Sequence, residues 1–181
     1  MEIVEAKDFL RQPWKNGGGV THEITKAEAD GRLLWRLSMA EVDTDGPFSA
    51  FTGLSRILTV IEGDGIDLHG PETVLAARHL GPVAFSGDLP VIGRLTGGPI
   101  RDLNLIFDAT RMEGSVTALE GPMNVTHTAP PGGLVEIFAV AGGVQADGQS
   151  LTRFALAHGP RLAVALATRA SALLIRLAPV R

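Results

Sequence analysis

Cysteine is absent from this chain of 181 residues. That excludes a disulfide framework, a thiolate nucleophile and a cysteine-based zinc site. Lysine is scarce, with Lys7, Lys15 and Lys26 the only three among 16 basic residues. The formal net charge is −4 and no basic cluster stands out. A main role on nucleic acid, which usually shows as a basic patch, is therefore not expected. No apolar run is long enough to span a bilayer as a helix. The opening Met1–Asp8 segment is acidic and lacks the apolar stretch of a signal peptide. Cytoplasmic residence without a membrane partner is the expectation. The five histidines are His22, His69, His79, His127 and His158, and no two lie closer than ten residues. No His-x-His pair exists to seed a metal centre, so neither a metal nor another cofactor is expected.

What is present is globular in character. Hydrophobic residues make up 45% and charged residues 20%, enough apolar content at this length for a core without staples. The local pattern is β throughout. Strands are expected at Val20–Lys26, Leu33–Val42, Ile57–Glu62, Ile100–Phe107, Leu134–Val140, Leu162–Thr168 and Ala172–Ala178. Turn dipeptides punctuate them, among them Asp30-Gly31, Gly63-Asp64-Gly65, Gly97-Gly98-Pro99 and Asp147-Gly148. The 22 glycines and 11 prolines would break helices of useful length. Phe154–His158 and Leu162–Arg169 are alanine- and leucine-rich and admit a helix, but Gly159-Pro160 between them favours short strands. Many short strands with close turns imply an all-β sandwich or barrel. A boundary is expected near Ala109–Gly114, where a half rich in polar motifs gives way to an alanine-rich half. Beyond Asp147 the only charges are Arg153, Arg161, Arg169, Arg176 and Arg181. Their spacing suits scattered solvated arginines, not a binding patch.

Three strands carry polar pairs. Side chains two apart share a face of a strand. Arg36 and Ser38 therefore oppose Trp35, Leu37 and Met39. Thr21 and Glu23 share a face, and Asp102 and Asn104 oppose Leu103, Leu105 and Phe107. Such faces ordinarily meet water. The alternative is that they converge inside a barrel and line a pocket, which suits a set rich in Arg, Asp, Asn and Glu. The most distinctive run is Pro13-Trp14-Lys15-Asn16-Gly17-Gly18-Gly19. It is not a phosphate-binding P-loop, because no Gly-Lys-Ser/Thr follows and no helix is expected after it. A tight structural turn is the better reading of the glycines.

The run Trp14-Lys15-Asn16-Gly17-Gly18-Gly19-Val20-Thr21-His22-Glu23-Ile24 resembles the N-terminal signature of the HutD/Ves family. So does the order that follows: Trp35-Arg36-Leu37-Ser38, then Gly46-Pro47-Phe48-Ser49 with Phe51, Gly53 and Arg56, then Gly63-Asp64-Gly65, Phe85-Ser86-Gly87-Asp88 and Asp102-Leu103-Asn104. The resemblance implies a bicupin, two cupin-like β-barrels in one chain. On that basis residues 1–110 are expected to form one barrel and 111–181 the other, with the boundary approximate and exchange of strands between them left open. It also implies a link to bacterial histidine utilisation, through binding of a small acid such as formylglutamate or urocanate. No settled enzymatic activity comes with the family.

Expected ligand-binding residues are Trp14, Lys15, Asn16, Glu23, Arg36, Ser38, Arg56, Phe85, Asp102 and Asn104. Arg36 and Arg56 are the preferred anchors, because a guanidinium grips a carboxylate in two-pronged fashion. Lys15 would add charge at the mouth, Trp14 an apolar wall, and Asn16, Asp102 and Asn104 orientation. Glu23 or Asp102 could act as acid or base, but orienting an arginine is the commoner role for such a carboxylate. No catalytic residue is assigned. The leading expectation is thus a binding protein for a small carboxylate. The alternatives are a metal-independent isomerase or hydrolase acting on a small polar acid, and an interaction module whose apolar C-terminal half forms a homodimer edge.

Overall fold

Alternating polarity and frequent turns fold into antiparallel sheets. The computed structural model describes residues 1–180, so Arg181 lies outside the described residues. Apart from one short 3-10 turn at Ala6–Asp8, every named element is a strand. The chain divides into two units, one of residues Leu10–Ala109 and one joining Met1–Phe9 to residues 110–180. The first nine residues group with the C-terminal part.

In the Leu10–Ala109 unit, a six-stranded sheet runs in the order Leu10–Pro13, Gly19–Ala29, Arg32–Val42, Ile100–Phe107, Ser55–Glu62 and Val83–Ser86. A four-stranded sheet runs Gly46–Pro47, Ile92–Leu95, Gly65–His69 and Val74–Arg78. Ala40, Val42, Leu58, Val60 and Ile100 of the first sheet pack against Ile66, Leu68 and Ala77 of the second. Burying each such aliphatic side chain contributes roughly 1.5–3 kcal/mol. The hairpin between Gly19–Ala29 and Arg32–Val42 turns on Asp30 (φ 54°) and Gly31 (φ 71°). Positive φ at both central residues is the mirror-type turn whose twist matches the flanking strands.

The second unit also has two sheets. One runs Glu2–Val4, Leu156–Gly159, Leu134–Ala141, Ser171–Pro179 and Met112–Glu120; the other runs Met123–Thr128, Arg161–Leu166, Val144–Ala146 and Gln149–Leu151. Its interior is filled by aliphatic side chains, including Val135, Ile137, Val164, Leu166 and Leu174. The two alanine-rich segments are extended: Leu156–Gly159 and Arg161–Leu166 are strands. Arg153, Arg161, Arg169 and Arg176 are all exposed.

Candidate functional site

The site grows from the inner face of the six-stranded sheet. Asn104 lies opposite Ser38 on one side and Leu58 on the other. Ile106 lies between Arg36 and Arg56, and Glu23 lies opposite Ser38. Strand alternation thus brings the polar pairs of three strands onto one surface. That surface does not face water: Ser38, Arg56, Asp102 and Asn104 are buried, with Asp102 at 0% exposure. The opposite faces of the same strands are buried too, with Trp35, Leu37, Leu103 and Leu105 among the core residues.

A cavity of about 570 Å³ opens above this surface. Its floor carries Arg36, Ser38, Arg56, Asn104 and Ile106, and its rim carries Trp14, Lys15 and Asn16. Seven of the ten residues expected from sequence therefore line one cavity. The other three lie just outside it. Glu23 sits 3.8 Å from Arg36 Nε and 3.7 Å from Lys26 Nζ. Phe85 lies across from Arg56, whose guanidinium carbon stands 5.0 Å from the ring centre. Asp102 lies on the same face, between Ala40 and Val60, and accepts a hydrogen bond from Asn104 Nδ2.

Arg56 is the centre of the arrangement. Its Nη2 donates to Asn104 Oδ1 at 2.9 Å and its Nη1 donates to the Ser49 carbonyl at 3.2 Å. The rings of Phe51 and Phe48 approach its guanidinium carbon at 5.1 and 5.6 Å, so with Phe85 three aromatic faces surround the cation. Its Nε has no hydrogen-bond partner. Burial lowers the pKa of Arg56 to about 10, with Asp102 opposing and Arg36 adding to the shift. It is still a cation at neutral pH. Burial pushes Asp102 up to about 7, against the charge of Arg56 and the Asn104 hydrogen bond.

The rim is fixed by local hydrogen bonds. Trp14 Nε1 donates to Thr21 Oγ1 at 2.8 Å, and its ring meets Phe48 edge-on at 6.2 Å. Its backbone N–H donates to the Gly19 carbonyl at 3.0 Å, and Gly17 N–H donates back to the Trp14 carbonyl at 3.1 Å. The three glycines make this turn. Gly17 has φ +71°, and a side chain at Gly19 would stand 2.3 Å from the Glu41 carbonyl oxygen. Asn16 spends its side-chain oxygen on Gly18 N–H at 3.0 Å.

Sequence reasoning did not assign Pro47, Phe48, Ser49 and Phe51 to the site, yet all four line it, as do Gln12 and Thr21. Phe48, Ser49 and Phe51 lie outside regular strands, so no alternation dictates where they point. The available signal was the ordered motif Gly46-Pro47-Phe48-Ser49 with Phe51. Among the described residues, no group of three or more His, Cys, Asp or Glu could hold a metal ion. None of the described helices is long and apolar enough to cross a membrane.

Antiparallel sheets enclosing a polar cavity define a protein of the cupin-like β-barrel class. A cupin 2 conserved barrel domain protein from Leptotrichia buccalis superimposes with a TM-score of 0.57 at 12% identity, over 87% of this chain and 88% of that one, a likeness of fold alone. Sequence narrows the class. The HutD family model matches residues 6–176, and the chain belongs to the HutD family. It is 37% identical to an uncharacterized 21.2 kDa protein in the hutC 3′ region of Pseudomonas putida, over 86% of this chain and 83% of that one. It is 31% identical to protein Ves of Citrobacter koseri, over 84% and 79%. The structure of HutD from Pseudomonas fluorescens SBW25 superimposes with a TM-score of 0.86 at 35% identity, over 99% of both chains. The family is thereby associated with the hut, or histidine-utilisation, locus.

Proposed function

We propose that this protein binds a small carboxylate of the formylglutamate or urocanate type in the Leu10–Ala109 unit and modulates histidine utilisation through it. The observation that supports this reading is Arg56, a buried guanidinium at the floor of the cavity with its Nε unpartnered. Buried cations are costly unless paired and hydrogen-bonded. A ligand carboxylate supplies both, because its two oxygens match the guanidinium fork. Arg36 stands on the same floor, and its carboxylate neighbour Glu23 lies at 3.8 Å, beyond a direct hydrogen bond. Lys15 adds positive charge at the rim, and no carboxylate lines the cavity. Trp14 has committed its N–H to Thr21, so it offers the ligand an apolar face. The hutC-region position of the Pseudomonas putida relative supports the histidine link.

A second reading, a metal-independent isomerase or hydrolase, draws on Asp102, a buried carboxyl hydrogen-bonded to Asn104 of the floor, with its pKa raised to about 7. The two readings separate on the fate of the ligand. If N-formylglutamate or urocanate is bound and recovered unchanged when followed by NMR, the protein is a binder; conversion would make it an enzyme. Affinity for either acid should fall at least tenfold in Arg36→Ala. Unchanged affinity would remove Arg36 from the site.

A further inference from the structure

We propose that Asp102 is a positioning residue that couples anion binding in the cavity to uptake of a proton. The inference rests on the carboxylate reading above and extends it. Asp102, Asn104 and Arg56 form a chain. Asp102 Oδ1 accepts from Asn104 Nδ2, which turns Asn104 Oδ1 toward Arg56 Nη2 at 2.9 Å. The orientation of the anchor is thus set by a carboxyl that does not itself line the cavity. Asp102 is fully buried, and its Oδ2 has no hydrogen-bond partner. A lone, fully enclosed oxygen of this kind is poorly solvated as an anion and well suited to carry a proton.

Charge decides the coupling. From the Ser55–Glu62 strand, the inner face offers Arg56 together with apolar Leu58 and Val60. From Arg32–Val42 it offers Arg36, Ser38 and Ala40, and from Gly19–Ala29 it offers Thr21 and Glu23. The opposing sheet contributes apolar Ile66, Leu68 and Ala77 to the same interior. No histidine lies among these groups. Glu23 lies between Arg36 and Lys26, and Lys15 stands at the rim, so Arg56 is the cation whose charge favours ionised Asp102. An incoming anion takes up the charge of Arg56 and weakens that support. Protonating Asp102 then removes a competing negative charge and keeps Arg56 available to the ligand. The bound anion therefore raises the proton affinity of Asp102. By linkage, protonation raises the affinity for the anion, since binding couplings are reciprocal. Asp102 already titrates near pH 7, so the effect falls between about pH 6 and pH 8.

The test is calorimetric titration of the full chain with N-formylglutamate and with formate, neither of which titrates in that window. Each would be run at pH 6 and pH 8, in two buffers of different ionisation enthalpy. The expected result is affinity about fivefold tighter at pH 6 than at pH 8, as a one-unit rise in the pKa of Asp102 on binding requires, with net proton uptake at pH 8. In Asp102→Asn, which still accepts from Asn104, affinity should no longer vary with pH. Equal wild-type affinity at both values without proton uptake would overturn the coupling and leave the carboxylate reading standing. Binding of neither anion at either pH would remove both. The proton count comes from the unaltered protein, so the test stands even if the variant fails to fold.

Discussion

Single side chains set the chemistry of the cavity. Arg56 holds Asn104 and the Ser49 carbonyl and packs among three aromatic rings. Lysine, with a compact ammonium, cannot reproduce that fork or the stacking. Arg56→Lys should therefore weaken carboxylate binding at least tenfold. It should also destabilise the fold by about 1–3 kcal/mol, because Asn104 Oδ1 and the Ser49 carbonyl lose a buried donor. Urea denaturation and calorimetric titration of the same preparation check both. In the other unit, Glu136 is fully buried and neither of its carboxyl oxygens has a hydrogen-bond partner. Burial raises its pKa from the usual 4.5 to about 8. The folded chain thus keeps a proton that the unfolded chain loses between these values. Stability from this group is fully present below about pH 4.5 and is lost as pH rises through about 8. Asp102 acts in the same direction, since its folded pKa is also raised. Glu136→Gln should flatten the fall in melting temperature between pH 6 and pH 9 and stabilise the protein at the upper end. An unchanged slope would show that Glu136 is ionised in the folded state.

Elements place those side chains, and they differ in how legible they are. The long strands Gly19–Ala29, Arg32–Val42 and Ile100–Phe107 are clear in the sequence because each carries an extended stretch of β-favouring residues between turn signals. Their alternation also put Arg36 with Ser38 and Asp102 with Asn104 on shared faces. Alternation alone could not decide whether those faces met water or each other; that depends on the second sheet covering them. Met112–Glu120 and Met123–Thr128 are strands absent from those expected. Their polar and apolar residues do alternate, with Glu113, Ser115, Thr117, Asn124 and Thr126 exposed, but the inward set of Gly114, Val116, Ala118 and Val125 is small and weakly apolar. The loop carrying Phe48 and Phe51 is opaque for another reason, since an irregular backbone fixes no side-chain direction. The Trp14–Gly19 turn invites a sharper expectation. A methyl at Gly19 meets the Glu41 carbonyl at 2.3 Å and the Trp14 ring at 3.1 Å, whereas at Gly18 the nearest atom is the side-chain oxygen of Thr44 at 3.0 Å. Gly19→Ala should cost about 1–3 kcal/mol by overpacking and weaken ligand binding by shifting Trp14. Gly18→Ala should be much milder, because a threonine side chain can move aside. Chemical denaturation of the pair reads the difference.

At the scale of the whole molecule, the all-β class follows from composition and turns, but the pairing of the opening strand does not. Glu2–Val4 pairs with Leu156–Gly159, and no local pattern announces a strand pairing across that separation. The two units also differ in content. One encloses a polar cavity with an arginine at its floor, and the other is filled by aliphatic side chains such as Ile137, Val164 and Leu174. Ligand recognition is accordingly expected in the Leu10–Ala109 unit. A ligand that binds only the folded protein stabilises it by about 2.7 kcal/mol at a hundredfold excess over Kd. For a chain of this size that corresponds to a rise in melting temperature of about 5–10 °C. The most direct measurement is thermal unfolding of the wild type and of Arg36→Ala in the presence of N-formylglutamate or urocanate at millimolar concentration. The account predicts a clear rise for the wild type with at least one of these acids and little or none for Arg36→Ala. No rise with either acid, or an equal rise in the variant, would contradict it.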